Sequence, residues 1–135
     1  MSTASDSRAQ PATPYQRIGE SAVIDAITNR FYDLMDSDPA YARLRGMHAP
    51  DLTYMRRSLA GFLAGWSGGP RDWWIANPGK CMMSAHRGFS IDGEVADLWA
   101  DAMKRAIAEV APADREIADA LGDVLTRMAQ AMVNA

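Results

Sequence analysis

The sequence predicts an all-α fold. Apolar residues recur at spacings of three and four along most of the chain, the period of a helix face. Runs of alternating β-branched residues, the mark of half-buried strands, are absent. A length of 135 residues limits the fold to one domain with a sizeable core.

The first 14 residues are small, polar and proline-containing, which reads as a disordered tail ahead of a domain over 15–135. The first strong helix is expected at about 20–36, where Val23, Ile24, Ile27, Phe31, Leu34 and Met35 form one stripe with Tyr32 at its edge. Asp36-Ser37-Asp38-Pro39 ends it, because the residue before a proline resists the helical region. A short turn-rich helix follows at about 38–46. The next helix is expected from near Pro50, a favoured first-turn residue, with Leu52, Met55, Leu59, Phe62, Leu63 and Trp66 as its stripe. Gly68-Gly69-Pro70 stops it. A short helix or loop spans 71–79, and 80–87 has room for two helical turns. Two long helices close the chain. One covers about 93–110, on Val95, Leu98, Trp99, Ala102, Met103, Ala106, Ile107 and Val110. The other covers about 112–133, on Ile117, Leu121, Val124, Leu125, Met128 and Met132, with Pro112 and Asp114 in its first turn.

The totals exclude several classes of function. A net charge of −3 argues against a nucleic-acid surface, which wants a basic stripe. No stretch approaches the roughly 20 apolar residues of a membrane span, and the N-terminus has no apolar signal core. The single cysteine, Cys81, forms no internal disulfide, which fits a reducing cytoplasm. The stripes are rich in Met, Phe, Trp and Leu, with nine methionines in all. Methionine fills irregular shapes, so a plain helical core and an apolar cofactor slot both fit this composition.

Two histidines are present. His86 lies among Met82, Met83 and Phe89, an apolar setting that suits a neutral imidazole as an iron ligand, and equally a packed histidine. His48, in Met47-His48-Ala49-Pro50, stands at the start of a helix, where it caps or faces a pocket. Cys81 and His86 lack the further ligands that a structural zinc needs. No nucleophile elbow, phosphate loop or paired-carboxylate pattern occurs. Tyr32 and Trp99 are polar-tipped aromatics on or beside buried stripes. They read as core aromatics with backbone acceptors, or as a pair of donors aimed into one pocket.

Four pieces occur in order: Phe31-Tyr32; then Phe62-Leu63 through Trp66 to Gly68-Gly69-Pro70; then Ala85-His86 with Phe89; then Asp97-Leu98-Trp99 with Met103. Together they resemble the group II truncated haemoglobins, over about Tyr15 to Val110. The resemblance implies a two-over-two helical sandwich, a shortened globin enclosing haem b. It implies His86 as the proximal iron ligand, with Tyr32, Trp99 and His48 as distal hydrogen-bond donors and Met55 beside them. Leu59, Phe62, Leu63, Trp73, Phe89 and Met103 are then the residues that touch the cofactor. O2, NO, CO and peroxide are the implied ligands. Three donors around one ligand favour tight binding, and so peroxidase or NO dioxygenase-type chemistry with a reductase partner over storage. The competing expectation is a haem-free helical interaction or sensor module.

The sequence also departs from the family pattern. A family glycine pair is Gly19-Glu20 here, and Ala85 stands where an arginine often precedes the proximal histidine. The usual Gly-His-Pro is replaced by Asn77-Pro78-Gly79. Candidates for the haem propionates are therefore Arg56, Arg57, Arg71, Lys80 and Arg87.

Overall fold

The structure, a computed structural model, describes residues 11–80, 86 and 88–135. The predicted pair of turns over 80–87 lies largely outside these residues, as do Cys81, Ala85, Arg87 and most of the predicted tail. The described residues form helices and connections, with no strand among them.

Helix α1 (Pro14–Ile18) opens with a capping box. The Thr13 side chain accepts from the Gln16 amide, the Gln16 side chain accepts from the Thr13 amide, and Pro14 takes the first helical position. Thr13 and Pro14, expected in the tail, thus cap and open the first helix. Gly19 closes α1 in the left-handed region at φ 118°, and Glu20 follows at φ 62°. The departure from the family's glycine pair therefore leaves a β-carbon in a conformation that favours glycine.

Helix α2 (Glu20–Ser37) ends at Asp38, held extended ahead of Pro39. The Asp38 side chain then caps a 3-10 turn, Pro39–Tyr41, which leads into α3 (Ala42–Arg45). Helix α4 spans Thr53–Trp66, starting three residues after Pro50. Arg45 binds the carbonyls of Ala49 and Pro50, and Asp51 accepts from the Thr53 amide, so these groups are satisfied outside a helix. Helix α5 is short (Asp72–Ala76).

Helix α6 (Gly93–Val110) is capped by Asp92, whose side chain accepts from the Val95 amide. It ends at Ala111 in the left-handed region. Helix α7 (Arg115–Ala131) is shorter than the predicted 112–133. Asp114 is its N-cap and accepts from the Ile117 amide, which leaves Pro112 in the connection.

Helix α2 packs on α4 and on α6, and α6 packs on α7, so one helix pair lies over another. The core between them holds Ile27, Phe31, Met35, Phe62, Met103 and Leu125. Ala102 and Ala106 of α6 are fully buried within this packing. Surface pairs tie the connections down: Arg105 reaches Asp38 and the Tyr41 hydroxyl, and Arg43 holds Asp92 and Glu94. No helix among the described residues is long and apolar enough to cross a membrane.

Candidate functional site

Phe31 and Tyr32 lie side by side on the inner face of α2. The Phe31 ring meets Tyr32 edge-on at 4.9 Å and Trp99 of α6 at 5.2 Å. One buried phenylalanine thus braces both polar-tipped aromatics that the sequence singles out. His48, beyond α3, stands edge-on to Tyr32 at 6.1 Å. The four rings run in a continuous row from His48 through Tyr32 and Phe31 to Trp99.

Buried phenol and indole tips normally find a hydrogen-bond partner. Two of the other indoles do. Trp73 Nε1 donates to Ser58 Oγ (2.8 Å), and Trp74 Nε1 donates to the Phe62 carbonyl (3.2 Å). Tyr32 and the half-buried Trp99 do not: neither tip makes a hydrogen bond among the described residues, and neither is sealed from solvent as the unpartnered Thr28 hydroxyl is. Tyr32 is only 3% exposed, and burial pushes its phenol above the usual tyrosine range, so it stays protonated and able to donate.

His48 has its orientation set from below. Its Nδ1 lies 2.9 Å from the Leu44 carbonyl, one helical turn earlier. A carbonyl only accepts, so Nδ1 carries the proton and the lone pair sits on Nε2. Burial holds the imidazole below its usual range against the opposing effect of the Leu44 hydrogen bond, and the charge of neighbouring Arg45 adds to the lowering. The free nitrogen of neutral His48 is therefore an acceptor, which reverses the donor polarity expected from the sequence.

His86 is half-buried in a turn in which the Phe89 amide donates to the His86 carbonyl (3.0 Å). The Phe89 ring lies 6.3 Å from the imidazole and is 46% exposed.

A family model for bacterial-like globins matches residues 13–134. The chain belongs to the bacterial-like globins. Solved structures agree. A cold-adapted truncated haemoglobin from Pseudoalteromonas haloplanktis TAC125 is 30% identical, with TM-score 0.87 over 92% of this chain and 99% of that one. A group II 2-on-2 haemoglobin from Agrobacterium tumefaciens is 29% identical, with TM-score 0.87 over 93% and 96%. A truncated oxygen-avid haemoglobin from Bacillus subtilis is 29% identical, with TM-score 0.80 over 91% and 100%. No curated protein matches. Membership makes the chain a haem protein that binds small ligands, with the two-over-two fold its helix pairs display.

Within the globin, the predicted cofactor residues fall in different surroundings. Leu59 and Phe62 are buried on α4, with Met55 half-buried one turn before Leu59. Met103 is buried on α6, one turn past Trp99 on the same face. Trp73 packs on Phe62 at 5.5 Å in a cluster with Trp74. Leu63 lines a separate apolar cavity of about 270 Å³, together with Ile24, Ile27, Trp66 and Ile117.

Among the propionate candidates, Arg56 is committed elsewhere. It binds Asp33 (2.8 Å) and the Asn29 carbonyl, and lies 5.9 Å from the Tyr32 ring centroid. Arg71 lies over the Trp74 ring. Arg57 and Lys80 are exposed, and Arg87 lies outside the described residues. Two features of the site escape the sequence reading. Ser58 looks like an ordinary surface serine until α5 folds Trp73 onto it. The Leu44 carbonyl could have been found, since a histidine four residues past a helical position can reach back to it.

Proposed function

We propose that this globin holds haem through His86 and takes O2 and related small ligands between Tyr32, Trp99 and His48. The observation that carries this is the contrast among polar tips. Trp73 and Trp74 satisfy theirs within the protein, whereas Tyr32 and Trp99 keep two donors uncommitted beside one ring. Neither tip is sealed from solvent, so both donors stay available to a molecule that enters beside Phe31. A small electronegative ligand is what this arrangement suits.

When bound, the haem supplies the iron at which the ligand is taken. Tyr32 and Trp99 donate to a ligand in this space and slow its release. Neutral His48 contributes an acceptor, which suits a ligand that itself carries a proton, such as hydrogen peroxide. Leu59, Phe62, Trp73, Phe89 and Met103 supply apolar contact, with Leu63 behind them. Two donors and one acceptor favour retention, in keeping with the avidity in the name of the Bacillus subtilis neighbour. Retention in turn favours redox chemistry on O2, NO or peroxide, driven by electrons from a reductase.

Absorption spectroscopy tests the reading. The expected result is a Soret band in the reconstituted protein that is displaced and weakened in His86→Ala. A protein that takes up no added haemin would overturn it in favour of a haem-free helical module. Steady-state peroxide turnover with an added reductant tests the redox part, and its absence would leave ligand binding alone.

A further inference from the structure

Over residues 88–92, ahead of α6, the backbone is not helical, so its polar groups need partners from elsewhere. One residue beyond the last helix supplies partners at Phe89 and Ile91. The Asn134 side-chain oxygen accepts from the Ile91 amide (2.8 Å), and its side-chain nitrogen donates to the Phe89 carbonyl (2.9 Å). The backbone amides of Asn134 (2.8 Å) and Ala135 (3.1 Å) both donate to the Ile91 carbonyl. Two hydrogen bonds therefore depend on the amide side chain, and two on the backbone around it.

The clasped stretch is fixed at both ends. On one side, Ile91 is buried, and Asp92 caps α6 while pairing with Arg43. On the other, Phe89 closes the turn onto the His86 carbonyl. Asn134 ties these two anchors, Phe89 and Ile91, to each other. Only an amide both accepts from Ile91 and donates to Phe89 at this reach. An aspartate accepts but does not donate, and a glutamine is one methylene longer.

We infer that Asn134 is a positioning residue for His86: it clamps residues 89–91 and, through the Phe89 turn, fixes where the imidazole stands relative to the haem. The inference rests on the reading of His86 as the iron ligand. Asn134 does not touch the cofactor and acts only through the clasp.

The test uses the full chain reconstituted with haem, as wild type, Asn134→Ala, Asn134→Asp and His86→Ala. Three quantities are read: the iron–imidazole stretching band of the ferrous protein, the rate of haem loss to excess apomyoglobin, and hydrogen exchange at the Ile91 amide. In Asn134→Ala the band should shift or broaden, haem loss should rise about tenfold, and Ile91 exchange should accelerate, as fits the loss of two hydrogen bonds. Asn134→Asp keeps the acceptor, so its Ile91 amide should stay protected while haem loss falls between the other two. This variant also carries the test if the alanine variant fails to fold. Faster Ile91 exchange with a wild-type band and wild-type haem loss would overturn the inference, because the clasp would then be merely structural. The ligand reading fails separately: it falls if His86→Ala keeps the iron–imidazole band.

Discussion

Replacing Tyr32 by phenylalanine should separate function from stability. The Tyr32 hydroxyl has no hydrogen-bond partner among the described residues, and the side chain is buried between Phe31 and His48. Removing it breaks no bond within the fold. The hydroxyl is unpartnered but not sealed from solvent, so Tyr32→Phe should change stability by less than about 1 kcal/mol. Ligand retention should fall. Losing a hydrogen bond to a ligand with partial charge costs about 1–3 kcal/mol, and at about 1.4 kcal/mol per tenfold this is one to two decades in the O2 dissociation rate. Tyr41→Phe is the internal control. The Tyr41 hydroxyl donates to Asp101 and accepts from Arg105, so its loss should cost about 1–2 kcal/mol of stability and leave ligand release unchanged. Urea unfolding of the ligand-free ferric protein and stopped-flow O2 release measure the two quantities. If Tyr32→Phe destabilises by more than 1 kcal/mol and leaves the O2 rate at the wild-type value, Tyr32 is a core residue and the donor reading is wrong.

The two indole environments predict opposite outcomes. Trp99→Phe should speed O2 release at little cost in stability, while Trp73→Phe, which strands the Ser58 hydroxyl, should lower the unfolding midpoint and leave release unchanged. Glu20→Gly should stabilise by up to about 1 kcal/mol in denaturant unfolding, because φ 62° penalises a β-carbon. Gly65→Ala should destabilise by about 1–3 kcal/mol, since its β-carbon would overlap the Trp74 indole. His48 should give an acid-side dependence. Its folded-state value lies below the usual imidazole value of 6.5, so the unfolded chain takes up the proton first. This stability is present above about 6.5 and is lost as pH falls through the folded value. Protonation also turns Nε2 into a donor, so O2 release should slow on acidification in the wild type but not in His48→Phe.

The long helices were legible because their periodicity is unbroken. Helix α6 runs over Gly93–Val110, the span its apolar residues mark out, and the stop of α2 before Pro39 follows from the proline alone. The misplaced starts share one cause. Pro50 and Pro112 both have the chemistry of a first helical residue, but side chains compete for the neighbouring groups. Arg45 takes the carbonyls of Ala49 and Pro50, and Asp114 caps α7 in place of Pro112. Such partners come from tertiary contact or from a single cap choice, which periodicity does not encode. The sequence names the residue types proposed for the site, while the orientation of His48 comes only from the fold. His48 reads as a donor until the Leu44 carbonyl is seen to occupy its protonated nitrogen. Asn134 has no local signature, because its partners lie more than forty residues earlier.

The two sides of the site are built on different principles. Tyr32 and Trp99 stand on long helices whose register is set by the core, and Phe31 braces both. A side chain so placed is difficult to move without repacking the interior, so changes at their tips alter ligand chemistry more readily than geometry. His86 stands in a turn closed by Phe89, and the non-helical residues 89–91 are held by a few hydrogen bonds from Asn134 and Ala135. Such a stretch opens locally at lower cost than a packed helix. Substitutions of the distal donors should therefore change ligand rates with little loss of haem. Substitutions in the clasp should release haem before they change ligand preference. A distal variant that sheds haem as fast as Asn134→Ala would contradict this division.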